Sequence, residues 1–142
     1  MRFLEVTKDG GPDSPVTGLF LIEIKSLFSI VLMKFGGTRE NFHSHAFNAL
    51  TFWLKGAVME VIRPTSGKPT LLNLRRWKAG DVKFTSRNTM HKVLPEGSAW
   101  ALSFRGPWAK TWKEYDPTND RIITLSSPGR NIVSMEAANG GL

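Results

Sequence analysis

The chain of 142 residues predicts an all-β fold, a sandwich or barrel of short strands. Three observations carry that expectation. Val, Ile, Phe, Thr and Trp cluster in short runs, Gly, Pro, Asn and Asp separate those runs, and few windows repeat apolar residues at helical spacing. The runs also recur at the regular intervals of a sandwich or barrel.

In chain order, strands are expected at residues 3–7, 19–25 and 28–35, with Gly36-Gly37 breaking the third. Strands 46–54 and 57–63 flank Lys55-Gly56, and Pro64-Thr65-Ser66-Gly67 ends the second of them. Strands 70–77 and 81–85 are divided at Ala79-Gly80, and 91–94 and 99–105 at Pro95-Glu96-Gly97. Strands 111–115 and 121–125 flank the turn residues Asp116-Pro117-Thr118-Asn119-Asp120. In 99–105 the large residues Trp100, Leu102 and Phe104 alternate with small or polar ones, so that face is expected to be the buried one. Beyond Ser126 large apolar residues thin out. The expected organisation is therefore a β unit over 1–125 and an irregular tail over 126–142.

Hydrophobic residues make up 41% of the chain, with five Trp and nine Phe, enough to fill one sizeable core and to exclude disorder throughout. The absence of cysteine excludes a disulfide framework, thiolate zinc sites and Cys nucleophiles, leaving His and carboxylates as the strong metal ligands. It fits a cytoplasmic location. The start Met1-Arg2-Phe3-Leu4-Glu5 lacks the pattern of a secretory signal, and Glu23, Lys25 and Lys34 interrupt the longest apolar segment, so no membrane span is expected. A net charge of +7 and a pI near 10.1 draw in anions. The basic residues are nevertheless scattered, Arg75-Arg76 being the densest pair, which points to a small anionic molecule more than to nucleic acid.

The chain holds three histidines, as His43-Ser44-His45 and His91. Neutral imidazole is the commonest metal ligand, and two residues one apart on a strand face the same side. The same parity puts Phe47, Ala49, Thr51 and Trp53 on the side of His43 and His45, with Trp53 as a candidate pocket floor.

Two spacings place these histidines in a known frame. From Gly37, five residues lead to His43-Ser44-His45, three more to Ala49, and six more to Gly56. This resembles the first motif of the cupin superfamily, except that the motif has Glu where this chain has Ala49. From Gly80, five residues lead to Ser86, and Asn88 precedes His91 by the spacing of the second cupin motif. There Ser86 stands for the usual Pro, Asn88 for Gly and Pro95 for Asn. Asn88 is a mild exchange, since Asn tolerates the left-handed conformation. The stretch from Arg76 to Pro107 is also similar to small cupins of bacteria and bacteriophages.

The resemblance implies a cupin jelly roll of ten or eleven strands, with a divalent metal held by His43, His45 and His91. It leans toward Fe(II), with Mn, Ni, Zn or Cu as other occupants. Cupins with three histidines and no Glu include thiol dioxygenases such as cysteine dioxygenase, in which Fe(II) binds substrate and dioxygen together. Their accessory Ser-His-Tyr arrangement cannot be completed here, because every histidine is already used. Glu40 and Glu60 are replacement carboxylates to test, although Glu60 is expected more often as an exposed partner of Lys or Arg. An anionic substrate calls for a guanidinium: Arg105 and Arg39 come first, then Arg63 and Arg76. Tyr115 is the candidate for orienting substrate. The function expected is a metal-binding cupin, a non-haem iron dioxygenase-like enzyme acting on a small anion. The alternative is a non-enzymatic module that captures a nucleotide, sugar phosphate or similar anion. Metal-independent isomerisation with a His base ranks third, because no acid partner is identifiable. A homodimer is expected, with residues 3–25 as material for edge pairing.

Overall fold

The computed structural model describes residues 1–11, 13–37, 41–63, 72–126 and 131–138. Arg39, Glu40, the turn at 64–67 and the first two residues of the strand expected at 70–77 lie outside the described residues. Among the described residues there are twelve strands: β1 (Arg2–Lys8), β2 (Val16–Ile24), β3 (Phe28–Phe35), β4 (Ala49–Lys55), β5 (Ala57–Arg63), β6 (Asn73–Lys78), β7 (Val82–Thr85), β8 (Met90–Pro95), β9 (Ala99–Arg105), β10 (Thr111–Asp116), β11 (Arg121–Ser126) and β12 (Asn131–Ala137). Among the described residues there is no helix, and none long and apolar enough to cross a membrane. The all-β class and the eleven expected strands are all found. The twelfth corrects the expectation of an irregular tail: β12 pairs with β11 although its residues are exposed, because edge pairing needs backbone groups and little apolar burial.

The strands form a six-stranded sheet in the order β1-β2-β3-β9-β4-β7 and two three-stranded sheets, β6-β5-β8 and β10-β11-β12. All strand pairings among the described residues are antiparallel. His43 joins the two smaller sheets. It bridges His91 of β8 on one side and Glu114 of β10 on the other. Its N–H donates to the His91 carbonyl at 2.9 Å, and the His91 N–H returns the bond at 2.9 Å. The neighbouring Ser44 N–H donates to the Lys113 carbonyl, and the Lys113 N–H donates to the Ser44 hydroxyl. From this bridge the chain crosses to the six-stranded sheet, which it enters at Ala49. The crossing segment thus carries two histidines between the layers, where a strand that changes sheets turns a corner.

The main core lies between the layers. Phe20, Val31, Met33, Trp53 and Ala101 of the large sheet pack with Val58, and Trp77 and Val93 close over them. A second cluster of Ala46, Phe47 and Ala49 is covered by Trp108 and Trp112. Gly56, which ends the first motif, has φ +77°, and a Cβ there would stand 2.4 Å from the Ser98 carbonyl oxygen, so only glycine fits. Asn88 does not use left-handed freedom, since Leu4 and Asp120 are the non-glycine residues with positive φ among those described. Its N–H instead donates to the Ser86 hydroxyl at 3.3 Å.

The buried face of β9 is the opposite of the one expected. Ala99, Ala101, Ser103 and Arg105 point inward, whereas Phe104 is 40% exposed. The inner face needs small residues because Phe20, Trp53 and a cavity occupy the space in front of it. The same inversion occurs on β7, where Lys83 and Thr85 are buried while Val82 and Phe84 are exposed.

Candidate metal centre and anion site

The three imidazoles converge. One ligand nitrogen from each of His43, His45 and His91 lies within 4.8 Å of the others. The Nε2 atoms of His45 and His91 are 3.0 Å apart. Metal–nitrogen bonds of about 2.1 Å at right angles place two ligand nitrogens about 3 Å apart, so this separation suits a shared ion. The ring centroids of the three pairs are 4.9, 5.0 and 5.1 Å apart.

The groups behind the rings favour the same orientation. The Nδ1 of His43 faces the Asn41 carbonyl at 3.2 Å. A carbonyl can only accept, so that nitrogen carries the proton and Nε2 presents its lone pair. The Nδ1 of His91 bonds the Glu60 carboxylate at 2.5 Å, the carboxylate–histidine pairing that orients metal ligands. The donor set and its outer partners therefore fit a divalent metal of borderline softness.

Glu60 overturns its expected exposure. It is 1% exposed and also accepts from Lys83 Nζ and from Trp77 Nε1, the latter at 3.1 Å. Burial pushes its carboxyl up, but the His91 hydrogen bond and the Lys83 ammonium outweigh that and hold it down to about 2. Burial pushes the Lys83 ammonium down, against the attraction of Glu60. Breaking such a buried pair from one side typically costs about 3–5 kcal/mol. Glu60 thus stands behind His91 as its orienting partner.

The histidines open on a cavity of about 170 Å³, slightly more than an engineered site that holds benzene. Phe47, Ala49, Thr51 and Trp53, placed by parity on the histidine side, are all buried and line it. Lys83, Thr85, Ser103 and Arg105 add polar groups from the neighbouring strands. Register explains the set: Ala49 lies between Thr85 of β7 and Arg105 of β9, and Thr51 between Lys83 and Ser103. The indole N–H groups of Trp53 and Trp108, which both line the cavity, are buried without a hydrogen-bond partner among the described residues.

Arg105 alone of the described arginine candidates lines this cavity. It is 4% exposed, lies 4.7 Å from the Phe47 ring centroid, and forms a two-bond pair with Asp9. Arg63 sits over the Tyr115 ring at 4.3 Å, and Arg76 makes an exposed pair with Glu96. Tyr115 does not line the cavity either. Its hydroxyl donates to Asp120 at 2.7 Å and its ring meets Phe42 and Arg63. Sequence reasoning missed Lys83, Asp9 and Glu114. Lys83 was legible in the inverted alternation of β7. Asp9 lies 96 residues from Arg105, and nothing local announces the pair.

No protein-family model and no curated protein sequence matches the chain. Solved structures do resemble it. A structure of HppE with Fe(II) superposes with a TM-score of 0.58 at 14% identity, over 71% of this chain and 55% of that one. A sugar phosphate isomerase of the cupin superfamily from Silicibacter pomeroyi gives 0.57 at 14% identity, over 84% and 76%. An RmlC-like cupin from Shewanella frigidimarina gives 0.54 at 14%, over 73% and 84%. The fold is that of the cupin superfamily. Within the cupin frame, Ala49 stands at the first motif's Glu position and lines the cavity beside the histidines. The chain spans just over half the length of the HppE structure.

Proposed function

We propose that this cupin binds a divalent metal, Fe(II) first among the candidates, and acts as a non-haem iron dioxygenase-like enzyme on a small anionic molecule. The observation that carries the reading is the convergence of three imidazoles on a cavity that also holds a buried guanidinium. His43, His45 and His91 would hold the metal, with Glu60 fixing the His91 ring. Iron bound there would supply redox chemistry with dioxygen at positions the protein leaves open. Arg105 fixes the anionic group, Trp53 and Trp108 offer further N–H donors, and the aromatic walls limit water. Without a motif carboxylate the site carries one more positive charge, which suits an anionic ligand. A solved Fe(II) structure among the similar folds is consistent with this reading.

Anaerobic purification followed by elemental analysis, then oxygen uptake against small thiols, diketones and carboxylates, tests it. Iron near one per chain with substrate-dependent uptake is expected. Metal-free protein that binds a nucleotide tightly overturns it in favour of a capture module. The cavity volume weighs against that rival, because a nucleotide would extend well beyond a benzene-sized space.

For assembly we propose a homodimer. On the outer face of the large sheet, Leu50 lies in register between Phe84 and Phe104, and these are 38%, 66% and 40% exposed. Contiguous exposed apolar surface marks an interaction site. Sedimentation of the Phe84→Glu variant is expected to show monomer where the parent chain shows dimer.

A further inference from the structure

Arg105 already holds a carboxylate. Its Nη1 and Nη2 donate to Asp9 Oδ1 and Oδ2 at 3.2 and 2.5 Å, a two-pronged pair. The remaining donors face the protein: Nε reaches the Ser103 hydroxyl at 3.3 Å and Nη2 the Met33 sulfur at 3.2 Å. Phe47 and Phe20 flank the guanidinium at 4.7 and 5.8 Å. The guanidinium is thus held by Ser103, Met33 and the two rings, and its two-pronged edge is turned toward Asp9. Asp9 stands on the solvent side of the pair, its side chain 20% exposed against 3% for Arg105.

Asp9 comes from the turn between β1 and β2, and both it and Gly10 line the cavity. Its own backbone is anchored, with its N–H donating to the Val16 carbonyl and its carbonyl accepting from the Ser14 hydroxyl. The next two residues, Gly10 and Gly11, have φ +102° and +105°, a conformation only glycine adopts readily. The Asp9 carboxylate can therefore swing away while its backbone stays in place.

We propose that Asp9 is a tethered occupant of a carboxylate-binding site, so that a small carboxylate enters the cavity by exchanging with Asp9 on the Arg105 fork. The inference rests on reading Arg105 as the anion anchor and is independent of metal and turnover. Two terminal nitrogens in one plane match the two oxygens of a carboxylate. A tethered competitor acts at an effective concentration of about millimolar, so a simple carboxylate binds weakly unless further contacts help it. Those contacts are at hand in Lys83 and in the Trp53 and Trp108 indole N–H groups, which have no hydrogen-bond partner among the described residues.

The test is acetate titration of metal-free protein, read by the NMR signals of the Trp53 and Trp108 indole N–H groups, which line the same cavity and are present in every variant. Asp9→Ala is expected to bind acetate at least about tenfold more tightly than the parent chain, and Arg105→Gln to show no saturable binding. Equal affinity in the parent and Asp9→Ala overturns the exchange, as does absence of binding in both. If Arg105→Gln abolishes binding while Asp9→Ala changes nothing, the anchor stands and the tethered occupant falls. If Arg105→Gln binds as the parent does, both fall. Should Asp9→Ala not fold, the parent chain is read at saturating acetate: the Gly10 and Gly11 amides must shift, and unchanged glycine signals overturn the proposal.

Discussion

At one end of the interior Met33, Ala101 and Trp53 lie side by side across β3, β9 and β4, and all three are buried in the apolar core, with Met33 and Trp53 also reaching the cavity. Four residues along the same strands, about 13 Å away, the corresponding row is Ser29, Arg105 and Ala49, of which Arg105 and Ala49 line the histidine cavity. One set of strands therefore carries both the element that stabilises the fold and the one that binds. Polarity here changes along each strand, as well as between its faces. The apolar row closes one end, and the polar end can then hold charged groups because each is paired: Arg105 with Asp9, and Lys83 with Glu60.

Separate damage to the two ends should show how independent they are. His45→Ala has the largest expected effect at the polar end: metal content falls from near one per chain to background and turnover disappears. Because His45 is only half-buried, stability should change by less than about 1 kcal/mol. Elemental analysis beside urea denaturation reads both. Trp53→Ala at the apolar end should cost about 3–5 kcal/mol while folded protein still takes up metal at the parent stoichiometry. Loss of metal in that variant would mean that the two ends are one cooperative unit.

Glu60→Gln probes the link between them, since Glu60 touches both His91 and the half-buried core residue Trp77. Metal affinity should weaken by about 10- to 100-fold in chelator competition, with a smaller stability loss than Glu60→Ala. The smallest effect is expected for Ala49→Glu, which returns a carboxylate to the histidine side. It should tighten metal binding by about tenfold, or 1.4 kcal/mol, and weaken acetate binding beside Arg105. Unchanged metal affinity would show that residue 49 stands too far from the ion.

Much of this is legible in the amino-acid sequence. The inward parity of Ala49, Thr51 and Trp53 rests on the two-residue period of β4, a local property, whereas residues 44–48 lie outside the strands and Ser44 and Ala46 line the cavity as well. The inward face of β9 was misread because large apolar residues are ordinarily buried. Here the interior is already filled by Phe20 and Trp53 from other strands, so the small face turns in and the large one turns out. Glu60 was misread for a related reason. A carboxylate is ordinarily exposed, and only the meeting of β5, β7 and β8 side chains supplies the Lys83 and His91 partners that let it be buried.

Residue type and spacing along one stretch of chain were enough to read the all-β class, the turn residues, the three-histidine set and the lack of a carboxylate at residue 49. The tertiary structure alone decided which face of β7 and β9 is inner, that Glu60 stands behind His91, that Tyr115 faces Asp120, and that Asp9 fills the Arg105 fork. Each of those depends on side chains many residues apart meeting in one place. Local pattern constrains direction along a strand, whereas packing and charge pairing across the layers choose the partner.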